Sequence, residues 1–254
     1  MTGWLDFLPF SYFWNSRLKS GSILFHLTFE WLSATILAFF YGRFGASGNL
    51  LLALLCYLAF ISIYEIGYLC NDCFASRFES NPRRRGSERL SDLKVWGMLS
   101  TRLLFFLLVS YAFGASLSRQ WFPFYLALTL TFALHNLPLA VHYKLITFTW
   151  LSVFRFTAPT IFLLQPVYLA PLFQATLLFY TGYRLLPYMD SKGLLHFPGR
   201  RQPAFRLAYY WSILPLAYFL RSSPGGHLVL LLAQYFAMLA LLGFLTGQGK
   251  QKHA

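Results

Sequence analysis

Glu65, Asn71, Asp72 and Glu79 lie close together in the chain and are followed, just past Pro82, by three consecutive arginines, Arg83, Arg84 and Arg85. On a helix turning about 100° per residue, Glu65, Tyr68, Asn71, Asp72, Ala75 and Glu79 share an arc of roughly 120°. Carboxylates gathered on one face can hold a divalent cation, and the cation can bridge phosphate oxygens. Guanidinium groups beyond them pair with the remaining phosphate charge in bidentate geometry. The pattern therefore assigns Asn71, Asp72 and Glu79 to catalysis and to a metal, Mg2+ or Mn2+, and Glu65, Tyr68, Arg83, Arg84 and Arg85 to substrate. The competing reading of the three arginines is a basic anchor that fixes topology. Glu65 is harder to read that way, because an acid near the end of a membrane helix costs a few kcal/mol and usually faces a cavity.

Two further groups carry charge into apolar sequence. His135-Asn136 and His142-Tyr143-Lys144 precede Arg155; Lys144 and Arg155, eleven positions apart, fall within about 20° of each other if one helix carries both. Lys144 and Arg155 are then candidates for a phosphate, while His135 reads more readily as a hydrogen-bonded packing residue. The third group, Tyr180-Thr181-Gly182-Tyr183-Arg184, runs on through Pro187 to Asp190 and Lys192. Arg184 and Lys192 would neutralise phosphate, and Asp190 would add an acid to the metal site. Cys70-Asn71-Asp72-Cys73 is formally a Cys-x-x-Cys, but a zinc or redox site wants a second ligand pair or a thioredoxin-like context, and free thiols are expected.

The elements that must position these residues are membrane helices. Of 254 residues, 57% are hydrophobic, 20% aromatic and 11% charged. A soluble domain carries about 25% charged residues, so there is too little polar surface here to coat a water-soluble globule. About 20 apolar residues cross the hydrocarbon, and eight segments qualify: Ser22–Tyr41, Asn49–Leu69, Val95–Ala115, Phe122–Val141, Leu145–Leu164, Val167–Leu186, Phe205–Leu220 and His227–Leu245. The runs are long and continuous rather than alternating over about ten residues, which argues against a barrel. The expected fold is all-α: a polytopic bundle of eight or nine membrane helices forming one domain over residues 22–246, preceded by an amphipathic interfacial segment (1–21) and followed by a short tail (247–254). No cleavable signal peptide is expected.

Lys and Arg fix the expected orientation. Placing both termini on one side puts 16 of them there and three, Arg43, Arg119 and Arg221, on the other. That excess marks the first side as cytoplasmic, in an inner membrane. The net charge of +13 thus reads as topology plus a site for anions, and not as nucleic-acid binding. The two long polar connections, Cys70 to Lys94 and Pro187 to Pro203, share that side and could meet over one cavity.

Asn71-Asp72 at the end of the second membrane helix, Glu79 eight residues after Asn71, and the Pro and basic run beyond resemble the first signature of the UbiA superfamily of intramembrane transferases. That signature, Asn-x-x-x-Asp-x-x-x-Asp, reads here Asn71-x-x-x-Ala75-x-x-x-Glu79. Tyr143-Lys144 and Gly182 with Arg184 loosely match the branch that makes polyprenyl-phosphate phosphoribose. The resemblance covers roughly residues 20–220. It implies transfer of a 5-phosphoribosyl group from phosphoribosyl diphosphate to a polyprenyl phosphate, with diphosphate leaving, in cell-envelope polysaccharide synthesis. The partners implied are a polyprenyl lipid and a diphosphate-bearing donor. Two alternatives stand beside it: a prenyltransferase using a polyprenyl diphosphate and an aromatic or other small acceptor, and a non-catalytic polyprenyl-lipid binding or transport protein, which Ala75 and Pro187 at acid positions of the signatures motivate.

Overall fold

In the computed structural model of the chain, residues 4–18, 23–74, 91–114, 117–197, 199–200 and 202–251 are described. Long apolar runs with few helix breakers leave the backbone no partner but itself in lipid, which makes helix the outcome. Among the described residues there is no strand, only an isolated bridge between Gly42 and Leu164. The helices are α1 (Ile23–Tyr41), α2 (Ala46–Cys73), α3 (Asp92–Val109, continued by a wider turn over Ser110–Gly114), α4 (Trp121–Asn136), α5 (Val141–Thr157), α6 (169–191), α7 (Pro203–Leu220) and α8 (His227–Gln251). Four of them, α1, α2, α3 with its extension, and α8, are long and apolar enough to cross a bilayer. Their outer faces expose Phe39, Phe40, Leu51, Leu104, Leu108 and Leu242, a surface suited to lipid and not to water.

The helices follow the apolar runs to within a few residues except in three places, one of them the run expected from Leu145 to Leu164, whose helix stops at Thr157. The run expected from Phe122 to Val141 breaks: α4 ends at Asn136, Leu137 is extended, and a new helix starts at Val141. Pro138 explains the break, since it has no N–H to give and pushes the residue before it out of helical conformation. As a result α5 begins earlier than expected and runs unbroken through both Lys144 and Arg155. At the other end, α8 continues to Gln251, so the tail expected from residue 247 starts as helix.

The N-terminal segment is helical but irregular: a tight turn over Trp4–Phe7, one α-turn over Ser11–Phe13 and a wide, π-type turn over Trp14–Leu18. It presents Trp4, Leu5 and Trp14 outward and seats Phe13 in the interior. The interior has two apolar clusters. One gathers Phe13, Phe60, Tyr64, Trp121, Phe132 and Phe154; the other gathers Phe29, Phe156, Phe179, Tyr180, Tyr210 and Phe236. They meet along α1 and α5, and the polar centre described next lies at that seam.

Candidate functional site: a buried arginine, tyrosine and carboxylate centre

Glu30 is the one acid of α1, and it is 6% exposed. A carboxylate at that depth needs a cation and several donors. Arg155 supplies the cation, with Nε 2.9 Å from Glu30 Oε1. The Tyr180 hydroxyl donates to the same oxygen, and His26 Nδ1 stands 2.9 Å from Oε2. That nitrogen is also 3.1 Å from Arg155 Nη2. It serves the carboxylate when it carries a proton and the guanidinium when it does not. Arg155 Nη1 donates to the Tyr68 hydroxyl at 3.0 Å, and Arg184 Nη1 donates to the Tyr180 hydroxyl at 2.5 Å.

Local helix geometry brings these groups together. His26 and Glu30 sit in a π-helical stretch, His26–Leu32, and Tyr180 sits in another, Thr176–Thr181. Wide turns of this kind occur within α-helices mostly as single bulges, often at functional sites. Arg17 occupies a third, at the end of the N-terminal segment.

Arg17 joins the centre to the end of α2. Its Nη2 reaches both oxygens of Asp72, at 3.1 and 2.9 Å. Its guanidinium carbon lies 4.3 Å from the centroid of the Tyr68 ring, a cation–π contact. Asp72 also accepts from the Tyr12 hydroxyl at 2.8 Å and from Asn71 Nδ2 at 3.1 Å. Burial, and next the Asp72 carboxylate, push the Tyr12 phenol well above its usual range. Three guanidiniums, of Arg17, Arg155 and Arg184, thus face two carboxylates, Glu30 and Asp72. Among the described residues no carboxylate pairs with Arg184; its neighbours are the Tyr180 hydroxyl and the rings of Tyr180 and Phe148.

Glu65 is fully enclosed and turned to a different task. It accepts the Phe10 and Phe13 N–H groups at 3.0 and 2.6 Å and pairs with Arg102 Nε at 2.7 Å. Arg102 Nη2 donates in turn to the Asp6 and Leu8 carbonyls and to Ser11 Oγ, and Nη1 donates to Met98. Phe10 has φ 77°, a left-handed conformation that costs a side chain of this size about 1–2 kcal/mol. The Glu65–Arg102 pair holds the strained turn in place and so fixes where Tyr12 and Arg17 fall. Sequence reading placed Glu65 among substrate ligands; its oxygens are instead occupied by the N-terminal segment.

The other expected residues spread along the same end of the helices. Asp190 accepts the Phe197 N–H at 2.9 Å and is ion-paired with Arg200. Lys192 lies over the Tyr188 ring, and Tyr188 stacks on Phe148 of α5 at 4.0 Å. The charges of Lys144 and Lys192 both act on His135, whose Nδ1 is 2.8 Å from Thr147 Oγ1; these residues form a basic rim. Tyr143 is exposed. Glu79, Arg83, Arg84 and Arg85 lie outside the described residues. Cys56, Cys70 and Cys73 form no disulfide among the described residues.

The divalent cation expected at Asn71, Asp72, Glu79 and Asp190 does not fit the described part of that set. Asp72 is bound by a guanidinium, a phenol and an amide, and Asp190 by a guanidinium and a backbone N–H. Among the described residues no three His, Cys, Asp or Glu side chains gather as metal ligands would.

Sequence reading found Tyr68, Asp72, Arg155 and Arg184 of this centre and missed Arg17, Tyr12, His26, Glu30 and Tyr180. The signal for Glu30 was present: a lone acid inside an apolar run is as expensive as the arginine inside α5 that drew notice. No protein-family model matches the chain, nor does any curated protein or solved structure.

Proposed function

We propose that the chain is an integral membrane transferase acting on a polyprenyl phosphate, and that it moves a 5-phosphoribosyl group from phosphoribosyl diphosphate onto that lipid. The single observation that carries this reading is the excess of arginine over carboxylate, among the described residues, at a buried, aromatic-lined centre. An uncompensated guanidinium in a low-dielectric site is a standing invitation to an anion. The resemblance of Asn71–Glu79 and Gly182–Arg184 to polyprenyl-phosphate phosphoribosyltransferases supplies the reaction class. In this reading all eight apolar helices cross the membrane, both termini are cytoplasmic, and the centre opens to the cytoplasm past the rim of Lys144 and Lys192.

The chemistry asks the protein for positioning and charge. A phosphate oxygen of the lipid attacks the anomeric carbon of the sugar; the bond from that carbon to the diphosphate oxygen breaks, and diphosphate leaves with the electron pair. Phosphate is already ionised, so no general base is needed. Arg155 and Arg184 stabilise charge on the phosphoryl groups, Lys144 and Lys192 draw the donor inward, and the aromatic walls exclude water that would hydrolyse the sugar donor. No step is assigned to a metal.

The test incubates membranes containing the full chain with labelled phosphoribosyl diphosphate and polyprenyl phosphate. Label is expected in the lipid, at least a hundredfold less with Arg155→Gln, by analogy with the loss of one oriented charge in other active sites. A lipid product obtained only from labelled polyprenyl diphosphate and a small acceptor would reverse the direction of transfer. A second reading, a non-catalytic lipid-phosphate binder, draws on the arginine partners of both Asp72 and Asp190. It is favoured if tight lipid binding comes with no turnover of any diphosphate donor.

A further inference from the structure

The N-terminal segment packs against the centre as one of its walls. Phe13 lies parallel to the Tyr68 ring, 6.4 Å away, and its other neighbours include the Arg155 guanidinium at 4.9 Å and the His26 ring at 5.3 Å. Arg17 follows one turn later and covers the Tyr68 ring, while Arg155 holds that ring's hydroxyl. Two guanidiniums therefore address a single phenol, one over its face and one at its tip.

Arg17 has a side chain only 10% exposed, yet its Nε is buried without a hydrogen-bond partner among the described residues. A buried donor left unmatched is costly and calls for an explanation. Its Nη2 is engaged by both oxygens of one carboxylate, and that carboxylate presents to Arg17 the same pair of acceptors a phosphoryl group would. We propose that Arg17 and Arg155, bridged by Tyr68, form a phosphoryl-binding pair, and that the Asp72 carboxylate stands in for the ligand's phosphoryl oxygens until a substrate displaces it. The ligand class is a phosphoryl anion, monoester or diphosphate. Glu65 and Arg102 act as positioning residues, since they hold the turn that delivers Arg17. This assignment rests on the functional reading above and adds to it both a third arginine and the role of Asp72: a competitor for Arg17 and not a metal ligand.

The experiment uses the full chain in nanodiscs of neutral phosphatidylcholine and measures equilibrium binding of three probes: a polyprenyl monophosphate, the polyprenol of the same length, and inorganic diphosphate. The wild type is expected to bind at least one phosphate-bearing probe more tightly than the polyprenol. Arg17→Gln should weaken that binding about tenfold, the worth of a charge-assisted contact, without changing polyprenol binding; Arg17→Lys should lose less. Asp72→Asn should tighten it, because the internal competitor is gone. A loss confined to the lipid probe assigns Arg17 to the lipid headgroup, and a loss confined to diphosphate assigns it to the donor. Unchanged phosphate binding in Arg17→Gln, or weaker binding in Asp72→Asn, overturns the proposal while leaving a phosphate-binding wild type and the wider reading intact. A wild type that prefers neither phosphate probe overturns both. Should Arg17→Gln fail to fold, Arg17→Lys and Asp72→Asn still decide the matter.

Discussion

Glu65 and Arg102 face each other with neither side chain exposed, Arg102 Nε lying 2.7 Å from Glu65 Oε2. The pair comes from α2 and α3, and every remaining polar atom it offers is spent on a backbone or hydroxyl group of residues 6–13 or on the Met98 carbonyl. Removing one member of such a pair leaves a bare charge and costs about 3–5 kcal/mol. Arg102→Met should therefore lower the thermal midpoint in detergent sharply, and so should Glu65→Gln. The double variant should lose less than the sum of the two. Additive losses would mean the two groups do not share one interaction.

The Glu30 cluster predicts an order of severity. Tyr180→Phe removes one donor to the Glu30 carboxylate and one acceptor from Arg184, about 1–2 kcal/mol. Glu30→Gln strands Arg155 beside Arg184 with no other carboxylate pairing among the described residues, and its thermal midpoint should fall further. Side-by-side melting of the two variants checks this; a milder effect for Glu30→Gln would show that Arg155 finds its compensation elsewhere.

Alkaline pH should separate the wild type from Tyr12→Phe. The Tyr12 phenol is raised by burial first and by the Asp72 carboxylate second, so the folded state favours the protonated form. The stability this contributes is fully present below the unfolded value of about 10 and declines as pH rises beyond it. The difference in thermal midpoint between wild type and Tyr12→Phe should shrink above about pH 10. A difference that stays constant into that range would remove the phenol–carboxylate link.

Gly67 marks a close approach of α2 and α4. A Cβ there would run into the Phe132 ring, and the Gly67 carbonyl accepts from Asn136 Nδ2 at 3.2 Å. Gly67→Val should cost about 1–3 kcal/mol through overpacking. Gly243→Ala on α8, where a Cβ meets nothing within 4 Å, should be neutral or slightly stabilising. Propensity favours both replacements over glycine, so a Gly67→Val variant as stable as Gly243→Ala would show that the Phe132 ring does not limit the side chain at residue 67.

Helix positions were legible because lipid imposes one backbone solution on any apolar run of sufficient length. Pro138 was legible too, although its consequence for Phe122–Val141 was not drawn. Within the site, Asp72, Arg155 and Arg184 announced themselves as charges in apolar surroundings. Their partners did not. Arg17 and Asp72 are 55 residues apart, and Tyr180 and Glu30 are 150 apart. Pairings of that kind are settled by how helices cross, which no local spacing encodes. Glu65, Tyr68 and Asp72, three members of the expected arc, lie on α2. That the N-terminal segment would lie along it could not be read from α2 alone.

The wide turns in the N-terminal segment, α1 and α6 have a bearing on how this chain could tolerate change. A π-type turn holds one residue more than an α-turn, so it shifts the angular phase of everything after it by about 100° relative to an uninterrupted α-helix. In α1 this lets Glu30 look toward Arg155 while Leu37 and Tyr41 keep their places among apolar neighbours. Deleting one residue between His26 and Leu32 would restore an ordinary helix and swing the carboxylate away from its guanidinium without exposing a single new polar backbone group. The bundle could survive such a lesion and still lose its centre.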